Sequence, residues 1–367
     1  MAMEALVLCL VISMQTARVP VAAGGIHRPP AMYVLGDSLL DVGNNNYLPG
    51  ADVPRANRPY YGIDFPGVPT GRFSNGYNLA DYVAKSMGFA SSPPPYLSLL
   101  GGQLAVPAAL AKGVSYASAD AGILDSTNAG KCIPLSKQVH YFNVTRAEMV
   151  ATVGSGAVSQ LLSKSIFLVG AGINDLLVFS RARNRSAAEQ QSDAAALYAD
   201  LTSNYSATIK ELYSMGARKF AFNNAFQIGC TPTARLLDAA GQCDDSLNQL
   251  AVGFNDALRS MLAGLATRLP GLVYSLADAF GFSGDVFAHP LAYGFTDIAA
   301  ACCGSGRLLA EGNCLPNSTL CTDRDDHVFW DRSHITQRTS FISAQAFYDG
   351  PAQYTTPINF KQLAHSS

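Results

Sequence analysis

Charge is scarce in this chain. Asp, Glu, Lys and Arg make up 14% of the 367 residues, against about a quarter in ordinary soluble domains. Net charge is −2 and the basic residues are scattered, so no positive stripe supports nucleic-acid binding. Long apolar runs are missing too. The N-terminal run Ala5 to Met14 falls short of the roughly 20 residues that span a bilayer. The chain has no G-x-S-x-G stretch, which excludes the nucleophile elbow of the α/β-hydrolases. It has no HExxH, and its cysteines lack the C-x₂₋₄-C spacing of zinc sites.

Hydrophobic residues, in contrast, reach 49%, enough for a large core. The Ala5–Met14 run has the length of a signal-peptide apolar region, and Val21-Ala22-Ala23-Gly24 offers small residues for cleavage. Residues 1–23 read as a signal peptide, although Glu4 sits where a basic residue is expected. Without Cys9, seven cysteines remain: Cys132, Cys230, Cys243, Cys302, Cys303, Cys314 and Cys321. Four of them crowd into a loop-like segment at 302–321, as disulfides in an oxidising compartment do. Six candidates for pairing leave one free thiol, for which Cys132 is the candidate, and connectivity stays open. Sequons stand at Asn143, Asn184, Asn204 and Asn317. Together these features predict a secreted, extracellular glycoprotein without a transmembrane segment.

Strands and helices alternate along the chain. Met32–Leu35, Val114–Ala117, Ser165–Val169, Lys219–Phe222 and Leu272–Leu276 read as about five strands. Ser165–Val169 is apolar throughout, as a parallel strand buried on both faces is. Apolar residues at helical spacing mark helices over 192–215 and 244–268. Shorter helices are expected near 78–87 and 336–348. The pattern predicts one α/β domain over 30–350, three-layered around a parallel sheet, with 351–367 as a surface tail. Residues 47–76 form a long irregular stretch rich in Pro, Gly and aromatics. Such a loop inside a domain is usually functional, and this one is expected to wall a cleft.

Reacting groups in open α/β sheets gather beyond the carboxyl ends of the strands. Gly36-Asp37-Ser38 follows the first strand, Ser118-Ala119-Asp120-Ala121-Gly122 the second, and Gly172-Ile173-Asn174-Asp175 the third. Asp331 and His334 precede the last helix. Their spacing of three lets Asp331 fix the tautomer of His334, which then accepts a serine proton. Asn174 offers an amide donor to an oxyanion. Each element has a plainer reading as a turn or a helix cap. The run Asp323, Asp325, Asp326, His327, Asp331 and His334 also admits a metal reading, ranked below the serine one.

Gly36-Asp37-Ser38-Leu39 with Asp41-Val42-Gly43-Asn44-Asn45-Asn46, then Gly172-Ile173-Asn174-Asp175, then Phe329-Trp330-Asp331-Arg332-Ser333-His334, resemble the plant GDSL esterase/lipases of the SGNH hydrolase superfamily. The likeness runs from about Tyr33 to Tyr348. It includes Pro59–Pro66, Gly71–Gly76 and Cys302-Cys303-Gly304. It implies a flavodoxin-like three-layer α/β/α fold and hydrolysis of acyl or acetyl esters, without metal or organic cofactor. It implies Ser38 as nucleophile, His334 as base, Asp331 as its orienter, and an oxyanion hole from Ser38, Asp120 and Asn174. The substrate would be a small-molecule, lipid or polysaccharide ester, and the location the cell wall or apoplast. Three positions depart from the family pattern. Asp120 stands where a glycine is usual, Ile335 replaces a proline and Ser115 an asparagine. Acyl transfer at the same site and a catalytically silent ligand-binding glycoprotein are the alternatives.

Overall fold

The structure is a computed structural model that describes residues 28–100, 105–181 and 187–366. The expected signal peptide and the sequon at Asn184 lie outside the described residues. Strand β1 (Met32–Gly36) pairs in parallel with β2 (Ile166–Gly170), β2 with β3 (Lys219–Asn223), and β3 with β4 (Val273–Ala277). A two-residue strand, β5 (Thr355–Thr356), closes the far edge antiparallel to β4. Around the sheet stand α1 (Leu79–Ser86), α2 (Leu135–Val153), α3 (Ile173–Arg181), α4 (Ala187–Ser214), α5 (Asp245–Arg268), α6 (Gln337–Asp349) and α7 (Phe360–His365).

Alternation along the strands divides the core. Tyr33, Leu35, Phe167, Val169, Phe220 and Phe222 face one helical layer, with Phe142 of α2, Tyr205 of α4 and Phe254 of α5. Met32, Val34, Ile166, Leu168 and Ala221 face the other, with Val83 of α1, Phe347 of α6 and Leu363 of α7. Both faces being covered explains the unbroken apolar strands and gives the three layers. Helix starts follow local capping. Asn78 and Asp81 form a capping box on α1, and Asp244 and Thr336 cap α5 and α6.

Two expectations need correction. Residues 114–117 do not form a full strand of the central sheet. They lie beside β1, with Val34 N donating to Val114 O and Tyr116 N to Val34 O, but make isolated bridges at Ser115 to Val34 and to Pro95. Pro95, which lacks an N–H, caps that edge. The fifth place in the sheet goes instead to β5, from the stretch read as a surface tail. That stretch packs into the core, with Tyr354, Phe360 and Leu363 at 6%, 1% and 0% exposure.

The position of residues 114–117 is nevertheless decisive for the site. From β1 the chain steps outward to that edge, then crosses back over β1 to β2. This is the topological switch at which open α/β sheets bind ligands.

Candidate active site

Gly36 ends β1 with φ 149°, and a Cβ there would stand 2.2 Å from Gly170 O on β2. Only glycine tolerates that approach. Gln138 of α2, fully buried, brackets the same residue. It accepts from Gly36 N at 2.8 Å and donates through Nε2 to Gly36 O at 2.9 Å. The following turn closes as Leu40 N and Asp41 N donate to Asp37 O. Ser38 is thereby presented beyond the end of the sheet.

Ser38 Oγ lies 2.9 Å from His334 Nε2. His334 Nδ1 lies 2.8 and 2.9 Å from the two oxygens of Asp331. Asp331 and His334 stand in a turn ahead of α6. Asp331 Oδ1 accepts from the Ser333 and His334 backbone N–H groups, both at 2.9 Å. This tight aspartate turn precedes Thr336, the cap of α6. The preceding short strand His327–Phe329, with Trp330 after it, is braced by the cysteine-rich segment, since Cys302 N donates to Phe329 O at 3.0 Å and Cys303 N to Trp330 O at 2.7 Å.

The second Asp331 oxygen accepts from Tyr61 Oη at 2.8 Å, and the Phe73 ring lies 4.7 Å from the imidazole. Both aromatics belong to the long 47–76 stretch, which therefore backs the Asp–His pair. Burial opposes the Asp331 charge, but His334, the two backbone donors and Tyr61 outweigh it and hold the carboxyl below its usual range. Burial likewise opposes the imidazolium, yet Asp331 prevails, with smaller help from Asp120 and Asp37, and the His334 pKa is raised.

Three donors adjoin Ser38. Among the described residues, neither Ser38 N nor Asp120 N donates to another protein atom. Asn174 Nδ2 donates one hydrogen to Ala121 O at 3.0 Å, leaving the other. Asp120 sits at φ 65°, in the left-handed region, which is the conformation that makes glycine the easier residue there. Burial raises its carboxyl pKa.

The loop carrying Asp120 is held on both flanks by carboxylates and amides of the other blocks. On one flank, Asp41 accepts from Ala119 N at 3.0 Å, and Asn45 Nδ2 donates to Ala119 O at 3.1 Å. Asn44 Nδ2 donates to Ser115 O and Ala117 O at 2.9 and 2.8 Å. On the other flank, Asp175 accepts from Ile123 N, Leu124 N and Thr127 Oγ1. Burial lifts Asp41 to about 6 and Asp37, beside the serine, to about 7.

Ser38, Asp120, Asn174 and His334 thus share the wall of one cleft of about 450 Å³, with Asp331 behind His334. Its far walls include apolar Ile173, Leu177 and Phe226 beside polar Thr231 and Thr233. The acidic run does not converge. Asp326 and Asp297 flank His327 at 2.5 and 3.8 Å, and Arg324 pairs with Asp64. Cys302 and Cys321, near His327, are bonded to each other. The disulfides are Cys230–Cys243, Cys302–Cys321 and Cys303–Cys314, with Cys132 free. Asn143, Asn204 and Asn317 are exposed. No described helix is long and apolar enough to cross a membrane.

Sequence reasoning gave no role to Tyr61, Phe73, Gln138, Asp41, Asn44, Asn45 or Asp175. The aromatic loop and the Asp41–Asn46 run carried a signal, since polar residues packed that densely near a strand end have backbone groups to satisfy. Gln138 carried none.

A doubly wound α/β domain with serine, histidine and aspartate in series at its switch point has the layout of the serine hydrolases. The family model described as GDSL-like Lipase/Acylhydrolase matches residues 32–347, and the chain belongs to that family. It is 39% identical over 354 residues to GDSL esterase/lipase At5g55050 of Arabidopsis thaliana, covering 93% of this chain and 92% of that one. It is 36% identical over 365 residues to GDSL esterase/lipase At1g71250 of the same plant, covering 98% and 95%. It is 35% identical over 343 residues to GDSL esterase/lipase At1g71691, covering 91% and 85%. Membership supports carboxylic ester hydrolase activity on small-molecule esters.

Proposed function

We propose that the protein is a secreted serine esterase that hydrolyses acyl or acetyl esters through an acyl-enzyme on Ser38. The observation that carries this reading is the unbroken hydrogen-bonded series Ser38–His334–Asp331–Tyr61. His334 Nε2 takes the Ser38 proton as Oγ attacks the ester carbonyl. Asp331 accepts from Nδ1–H and stabilises the imidazolium, and Tyr61 steadies Asp331. The developing oxyanion is received by Ser38 N–H, Asp120 N–H and the second Asn174 hydrogen. His334 then protonates the leaving alcohol, and water repeats the sequence to release the acid. Three disulfides suit an oxidising compartment. Exposed Asn143, Asn204 and Asn317 suit glycosylation there.

Ser38→Ala is expected to lower turnover of p-nitrophenyl acetate about 10⁴-fold or more. An alkyl organophosphonate is expected to label Ser38 in the wild type. A folded wild-type protein that neither turns over the ester nor takes the label would overturn the proposal.

A further inference from the structure

A second cavity of about 50 Å³ lies beside the cleft, and Leu39 and Phe226 line both. Its wall is almost entirely hydrocarbon, with Leu79, Phe282, Val286, Phe287 and Ile335 among its residues. Leu39 follows Ser38 in the chain and Ile335 follows His334, so the cavity is walled by the chain neighbours of both reacting groups. Protein interiors hold few voids larger than a water molecule, and apolar ones stay dry. An empty void of this kind weakens a core unless a ligand fills it.

We propose that this cavity is the acyl-chain pocket, entered between Leu39 and Phe226, and that it selects linear aliphatic acyl groups. The inference rests on the esterase reading above. By the room a single water needs, the cavity accommodates roughly four methylene-sized groups. With the carbonyl carbon and its neighbour still in the cleft, the best chain is roughly six carbons long. Each methylene seated in hydrocarbon adds about fourfold to kcat/KM. The alcohol half of the ester stays in the larger cleft, beside Thr231 and Thr233.

The test is a p-nitrophenyl ester series from acetate to dodecanoate, run on the full-length secreted protein. Wild type should prefer hexanoate to acetate by at least tenfold. Val286→Phe, which fills the cavity, should erase that preference while leaving acetate turnover within about twofold. Phe287→Ala, which enlarges it, should move the optimum to a longer chain, and it keeps the test alive if the larger phenylalanine misfolds. An unchanged chain-length profile in a folded variant, with acetate turnover intact, overturns the pocket and leaves the esterase reading standing. Loss of both acetate turnover and Ser38 labelling in wild type overturns the two together.

Discussion

Asp120 is where a single residue most affects this site. Its backbone takes a left-handed φ of 65°, and a non-glycine residue there costs about 1 kcal/mol or more. Its carboxylate also adds to the field that raises His334. Asp120→Gly is therefore expected to stabilise the fold by about 1 kcal/mol. It should also raise kcat and move the acid limb of the kcat/KM profile to lower pH. Thermal unfolding together with a pH–rate profile reads all three effects. Tyr61 acts at one remove, on Asp331. Removing its hydroxyl leaves the carboxylate more basic, so the Asp–His pair holds its proton to higher pH. Tyr61→Phe should cost about tenfold in kcat, the lower range for a hydrogen bond to a charge. It should also shift the acid limb upward without lowering the unfolding temperature by more than a few degrees. A flat pH response in the folded variant would reduce Tyr61 to packing.

At the scale of elements, the C-terminal segment is part of the sheet rather than an appendage. β5 covers the edge of β4, and Lys219 Nζ donates to Ala364 O at 3.4 Å. Leu363→Ala is expected to destabilise the protein by about 3 kcal/mol, as buried leucines do, measured by denaturant unfolding. Sequence pattern missed this because a two-residue strand and a six-residue helix are too short for periodicity to register. Longer elements were legible for the opposite reason. In α4 and α5 the stripes through Leu201 and Tyr205, and through Phe254 and Leu258, span several turns each. Residues 114–117 fall between these cases: the strand-forming residues were visible, but they make only isolated bridges, to Val34 and Pro95, which their own pattern does not show. Within the site, Ser38 and Asn174 were legible because each follows an apolar strand run, and Asp331 and His334 because the pair lies between such a run and α6. Tyr61 was not, because its partner lies 270 positions away and nothing local requires its hydroxyl.

For the whole molecule, activity and stability respond to pH in opposite directions. Asp37 and Asp41 titrate near 7 and 6 in the fold, against 3.8 when free. The folded state therefore binds more protons than the unfolded chain between about pH 4 and 7, and stability falls as pH rises through that window. His334, with a raised pKa, adds stability below the free value of 6.5 and loses it as pH rises through its folded value. Asp331, with a lowered pKa, contributes above 3.8 and loses that contribution as pH falls through its folded value. The unfolding temperature should peak at about pH 4. Ester turnover, which needs neutral His334, should climb on the alkaline side of that peak. Parallel melting and kcat/KM profiles test this, and Asp37→Asn should flatten the decline in stability.

The hold on the Asp120 loop has a mutational corollary. Asn44 and Asn45 grip the carbonyls of Ser115, Ala117 and Ala119, and Asp41 grips an amide of the same run. Every one of those grips reads main chain. These grips are therefore insensitive to the side chains at 115 and 120, whereas they are lost with the side chains at 41, 44 and 45. Loss of the hold on the loop should follow substitution at 41, 44 and 45, read as a lower unfolding temperature.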